Sequence, residues 1–126
     1  MKKIFFLLLT VSLLTACRGL LPVYNVANKT VVVSGTTMRE AIIKGSTRKG
    51  WSVREVEDGL MEATLMIRRH MVKVAIPYTE NSYSIQYDDS ENMYFSPKKN
   101  RIHRKYNQWV RNLDLAITRA AANTAD

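Results

Sequence analysis

Between residues 51 and 87 apolar and polar positions alternate, and between residues 101 and 121 apolar positions recur at helical spacing. Alternation puts successive side chains on opposite faces of a strand, so that one face can be buried. Trp51 to Val56 leads into Glu57-Asp58-Gly59, and Asp-Gly between such runs predicts a hairpin turn. Ala63, Leu65 and Ile67 alternate with Glu62, Thr64, Met66 and Arg68; Val72, Val74 and Ile76 alternate with Lys73 and Ala75. Apolar parity therefore changes from odd to even across Arg68 to Met71. A one-residue slip turns every side chain to the other face, so a turn or bulge is required there, and a turn is expected. Pro77 suits a strand end or a sheet edge. Asn81-Ser82 marks the next turn, after which Tyr83, Ile85 and Tyr87 alternate again. Asp88 to Asn92 reads as a polar loop, with Met93-Tyr94-Phe95 and Thr30 to Val33 as short strands.

Thr37-Met38-Arg39-Glu40 has the Thr-x-x-Glu form of a capping box, in which each of the two side chains satisfies a backbone donor at a helix start. Met38, Ala41, Ile42 and Gly45 then share one face, and Gly50 is placed to end the helix, which predicts a helix over 37–49. Gly45 weakens that helix by about 1 kcal/mol relative to Ala. Ile102, Tyr106, Trp109, Val110, Leu113, Ala116, Ile117 and Ala120 fill one stripe of a second helix over 101–121, with Tyr106 and Trp109 as expected core anchors. Arg101, Arg104, Lys105, Arg111 and Arg119 fall on the opposite side. Helix, antiparallel meander and long helix together give an α+β fold, with both helices packed on one face of a meander sheet.

The N-terminal segment has a different character. Met1-Lys2-Lys3 is followed by Ile4 to Leu14, apolar except for Thr10 and Ser12, and then by Thr15-Ala16-Cys17. A basic start, a short apolar run and small residues before a cleavage point describe a secretory signal peptide, over residues 1–16. A membrane-spanning helix needs about 20 apolar residues, and the run stops too early for that. An amphipathic core helix fits no better, because Ile4 to Leu9 are apolar on every side. Cys17 is the single cysteine of the chain, so an exported protein could not pair it internally.

Leu14-Thr15-Ala16-Cys17 resembles the lipobox of bacterial lipoproteins. That resemblance implies that the Cys17 thiol carries a diacylglyceryl group, that cleavage falls just before it, and that the new amine is acylated, commonly by palmitate. Residues 17–29, with Pro22 and two Asn, then read as a lipidated cysteine and tether, and residues 30–126 as a single domain. By the same resemblance, Arg18 in place of the Asp that retains Gram-negative lipoproteins in the inner membrane implies the outer membrane, on the periplasmic side. A wider likeness runs through Gly50-Trp51, His70, Tyr83-Ser84-Ile85-Gln86-Tyr87 and the stretch from Ile102 to Val110. There the chain is similar to a group of small proteobacterial lipoproteins whose function is unknown, so the likeness supports an independent domain and transfers no activity.

Charge narrows the partners. Losing Lys2 and Lys3 with the signal takes the net charge from +8 to +6. A basic chain suits an anionic neighbour, and export favours phospholipid or lipopolysaccharide over nucleic acid. Lys98, Lys99, Arg101, Arg104 and Lys105 crowd one short stretch without an acid among them. Each Lys or Arg near an anionic membrane contributes about 1 kcal/mol, fading over a Debye length of about 8 Å. A solvated face that keeps the protein soluble is the competing explanation.

No catalytic signature is present. His70 and His103 are the only histidines, too few for a zinc site and without the spacing of one, so no metal or cofactor is expected. His103 and Asn107 lie one helical turn apart at the edge of the apolar stripe, and a polar pocket of His70, His103 and Asn107 is the sharpest candidate site. The expectation is thus a membrane-anchored, non-catalytic binding or envelope-assembly accessory, with anionic lipid or an envelope protein as partner. The rival class is a small periplasmic hydrolase or transferase using His70 or His103.

Overall fold

The computed structural model describes residues 19–123. In chain order the elements are β1 (Leu20–Pro22), β2 (Val26–Thr30), α1 (Met38–Arg48), β3 (Ser52–Glu57), β4 (Leu60–Ile67), β5 (His70–Pro77), β6 (Ser82–Glu91), β7 (Arg101–His103) and α2 (Arg104–Ala121). The fold is α+β. β3 to β6 form the expected antiparallel meander, and β2 adds to its outer edge, giving the order β2-β6-β5-β4-β3. β1 and β7 pair separately as a two-stranded antiparallel sheet.

The parity switch is resolved by a hairpin. Ile67 pairs with His70 across Arg68-Arg69, and Arg68 takes a left-handed φ of 55°. This turn sets Leu65 opposite Val72, Ala63 opposite Val74 and Met61 opposite Ile76. All six are buried, on the face that the helices cover. The other face is polar: Glu62 meets Arg54 at 3.2 Å and Lys73 at 3.9 Å. Asp58-Gly59 turns β3 into β4, with Gly59 at φ 82°.

Local signals fix both ends of α1. Thr37 Oγ1 accepts the Glu40 N–H at 3.1 Å, whereas the Glu40 carboxylate accepts from the Thr36 hydroxyl, so only half of the expected reciprocal box forms. At the other end Gly50 N–H donates to Thr47 O and Trp51 N–H to Ser46 O. Those two bonds, with Gly50 at φ 84°, make a Schellman stop. Gly45 serves packing: a Cβ there would lie 2.7 Å from the Ile117 backbone nitrogen in α2. The helices therefore cross backbone to backbone, and the apparent weakness at Gly45 is the condition for that approach.

Several expectations are corrected. The supposed tether is structured from Leu20 onward, because β1 pairs with β7 and β2 with β6. The second helix starts at Arg104 rather than 101, since Arg101 to His103 are taken up as β7 by that N-terminal strand. Thr30 to Val33 is not a strand: Thr30 pairs with Ser82, the first residue of β6, and no partner strand extends beyond it. Asp88 to Asn92 is not a loop up to its last residue, because a register shift opposite Lys73 and Val74 lets β6 continue to Glu91. Met93-Tyr94-Phe95 is not a strand, because Asn92 (φ 57°) and Tyr94 (φ 53°) are left-handed. Tyr106 is fully buried, but Trp109 only half joins the core. The signal segment and Cys17 lie outside the described residues.

Candidate functional site

Three features converge where α2 begins. The hairpin tip Arg68-Arg69 ends β4, His70 opens β5, and His103 closes β7 and caps α2. The rings of His70 and His103 stand 6.1 Å apart between centroids, so these two candidate residues are brought together. Tyr94 stacks toward His103 at 6.4 Å and Trp109 lies 6.2 Å from His70. Arg68, Arg69, His70, Asn92 and Tyr94 line an open cleft of about 370 Å³.

Each ring has a defined outer partner. His70 Nδ1 lies 2.9 Å from the Asn92 carbonyl, which only accepts, so Nδ1 carries the proton and Nε2 is the free acceptor of the neutral ring. His103 Nδ1 accepts the Lys105 N–H at 3.1 Å, which puts the proton of the neutral ring on Nε2. The cluster thus offers one ring donor and one ring acceptor. Burial first, then the neighbouring His70, Lys105 and Arg104 charges, hold His103 below its ordinary value. The partners of the two Nδ1 atoms are backbone groups, Asn92 O and Lys105 N–H. Among the described residues no group of three or more His, Cys, Asp or Glu is arranged around a metal position.

No known family, curated protein or solved structure matches the chain.

Asn107 does not join the histidines. It is buried, its Oδ1 accepts the Tyr24 N–H at 3.0 Å, and its Nδ2 donates to Pro22 O at 2.9 Å. One and two turns further along α2, Arg111 lies 4.6 Å from the Tyr24 ring centroid and Asp114 holds the Lys29 ammonium at 3.1 Å. Asp114 also accepts from the Tyr83 hydroxyl. Spacing of i, i+4 and i+7 makes Asn107, Arg111 and Asp114 one polar stripe, which clips the N-terminal segment to the domain. The segment this stripe holds is the one expected to be a tether, and the period of the three residues is the signal the sequence carries for it.

The basic residues separate into groups. Arg104 and Lys105 are exposed at the start of α2, Arg101 is exposed on β7, and Lys98 and Lys99 ride the turn that joins Ser96 to Arg101. Among the described residues Arg68, Arg69, Arg101, Arg104 and Lys105 pair with no carboxylate. Sequence reasoning missed Arg68, Arg69 and Tyr94 as parts of this site. The available signal was the turn expected at the parity switch, whose tip is Arg68-Arg69. Tyr94 gave none: its ring is 72% exposed on a left-handed backbone, a conformation that costs a non-glycine residue on the order of 1 kcal/mol or more.

Proposed function

We propose that this chain is a lipid-anchored envelope protein, a non-catalytic binding or assembly accessory held on the periplasmic side of the outer membrane through Cys17. The lipobox-like Leu14-Thr15-Ala16-Cys17 carries the proposal. Its chemistry is sufficient: each buried CH₂ contributes about 0.8 kcal/mol, one acyl chain binds marginally, and several on one cysteine anchor stably. No helix among the described residues is long and apolar enough to cross a membrane, so within them a spanning helix offers no alternative anchor. Anionic lipid or an envelope protein is the partner chemistry that suits the basic surface.

Support for an accessory role comes from the clipped N-terminal segment. Gly19 O accepts the Arg104 N–H at 2.7 Å, so the folded domain starts two residues after Cys17. Extended backbone spans at most about 3.5 Å per residue, so no more than about 7 Å can separate Cys17 from Gly19. A domain so close to the bilayer is suited to acting at the membrane surface. The approach of His70 to His103 favours, as a second class, a small hydrolase or transferase using those rings.

Membrane fractionation separates these outcomes. Cys17→Ala, or globomycin, blocks maturation and releases or mislocalises the domain. In a deletion strain with an envelope phenotype, His70→Ala and His103→Asn complement fully if the role is accessory. Loss of complementation with folding and partner capture intact would favour the enzyme. Crosslinking in intact envelopes followed by capture names the partner.

A further inference from the structure

The entry of the chain and the β4–β5 hairpin lie at one end of the molecule. Gly19 is bonded to Arg104, Leu20 is the register partner of His103, and His103 faces His70 at the foot of the hairpin. This end exposes side chains that folding would ordinarily hide. Met66 is 71% exposed and Tyr94 is 72% exposed. Ile67, on the opposite strand face from Met66, borders a narrow cleft with Lys49 and Trp109. Arg68 and Arg69 flank them, and Arg104 and Lys105 stand beside the chain entry. Glu91, the register partner of Met71, is the acid that strand pairing places here.

The opposite end also exposes apolar side chains, Val32 (78%) beside the β5–β6 connection and Val56 (45%) at the β3–β4 turn, and differs by the acids it carries. There the start of α1 and the β3–β4 and β5–β6 connections line a cleft that includes Asp58 and Glu80. Apolar and aromatic tips ringed by arginine and lysine match the chemistry of a bilayer interface. Aromatic side chains settle at headgroup depth, an apolar side chain such as Met66 gains by leaving water, and long cationic side chains reach anionic phosphates. An anchor that can lie no more than about 7 Å from Gly19 keeps this end near the lipid.

We propose that the protein docks on an anionic phospholipid surface by this end, with Met66 and Tyr94 entering the headgroup layer while Arg68, Arg69, Arg104 and Lys105 engage phosphates. The proposal rests on the Cys17 anchor for its proximity, and on the exposed tip for its orientation. In the docked state the His70–His103 cleft faces the membrane and the Asp58–Glu80 end faces the periplasm.

The full chain is purified from membranes and reconstituted in vesicles of phosphatidylethanolamine with phosphatidylglycerol, and in phosphatidylcholine alone. Met66→Cys, Tyr94→Cys and, at the opposite end, Glu80→Cys each carry an environment-sensitive maleimide dye. An acylated Cys17 takes no maleimide, so label on the parental chain overturns the anchor without touching the docking. Docking is then read on a Cys17→Ser background. On anionic vesicles the dyes at Met66 and Tyr94 are expected to shift blue and be quenched by brominated lipid, while the dye at Glu80 does neither. Arg68→Gln with Arg69→Gln is expected to reduce that quenching. Equal quenching at Met66 and Glu80, or quenching unchanged on phosphatidylcholine alone, would overturn the proposal.

Discussion

The side-chain oxygen of Asn107 accepts the backbone N–H of Tyr24 at 3.0 Å, across 83 residues of sequence. With its bond to Pro22 O, this one amide turns an apparent tether into the edge of a domain. Asn107→Ala would remove two part-buried hydrogen bonds, to the Tyr24 N–H and the Pro22 carbonyl, at a cost of about 1 kcal/mol each. Lower thermal stability and faster amide exchange at Tyr24 are the expected outcomes. Unchanged exchange there would show that the segment is held by other contacts.

Gly45→Ala tests the helix crossing. Intrinsic propensity alone favours Ala by about 1 kcal/mol. The new Cβ would meet Ile117 N at 2.7 Å, and both atoms belong to packed helices that must separate to admit it. Overpacking of this kind costs about 1–3 kcal/mol, so the variant is expected to unfold at lower temperature. A gain in thermal stability would contradict backbone-to-backbone packing.

His103 gives the stability a pH dependence. Its folded value lies below the ordinary 6.5, chiefly through burial and then through His70, Lys105 and Arg104. A depressed value means that the unfolded chain binds the proton more tightly. The His103 contribution is therefore complete above about pH 6.5 and is lost as pH falls through the folded value. Protonation also removes the Nδ1 acceptor for Lys105 N–H at the start of α2. His103→Asn keeps a good N-cap without a titrating ring. Denaturant unfolding at stepped pH should show a weaker acid loss in His103→Asn than in the parent; equal losses would assign the effect elsewhere.

Tyr106 is fully buried, and its hydroxyl has no hydrogen-bond partner among the described residues. Burial holds the phenol far above its usual range, so it stays neutral. Tyr106→Phe deletes an unsatisfied group and keeps the ring near Tyr87. Stability is expected to rise by about 1 kcal/mol or stay level. A clear loss would reveal a partner for the hydroxyl.

The meander was legible because period-two alternation and the Asp58-Gly59 turn are local properties. Parity required a turn or a bulge between Arg68 and Met71, and the expected turn is the Arg68-Arg69 hairpin. What stayed hidden depended on distant partners. Leu20 to Pro22 has no period of its own and becomes a strand only because Arg101 to His103 lies beside it. The start of α2 was misplaced for the same reason. At the candidate site, the meeting of His70 with His103 was anticipated, whereas the outward turn of Tyr94 was not. Asn107 was drawn into a pocket by its helical phase, although its amide was needed by the backbone of Pro22 and Tyr24.

Intact-mass measurement of the chain isolated from its native membrane tests the central claim, anchoring through Cys17, most directly. The predicted mass is that of residues 17–126 carrying a diacylglyceryl thioether and an amide-linked acyl chain. A mass equal to unmodified residues 1–126, or a mature chain with a free Cys17 thiol, would contradict it.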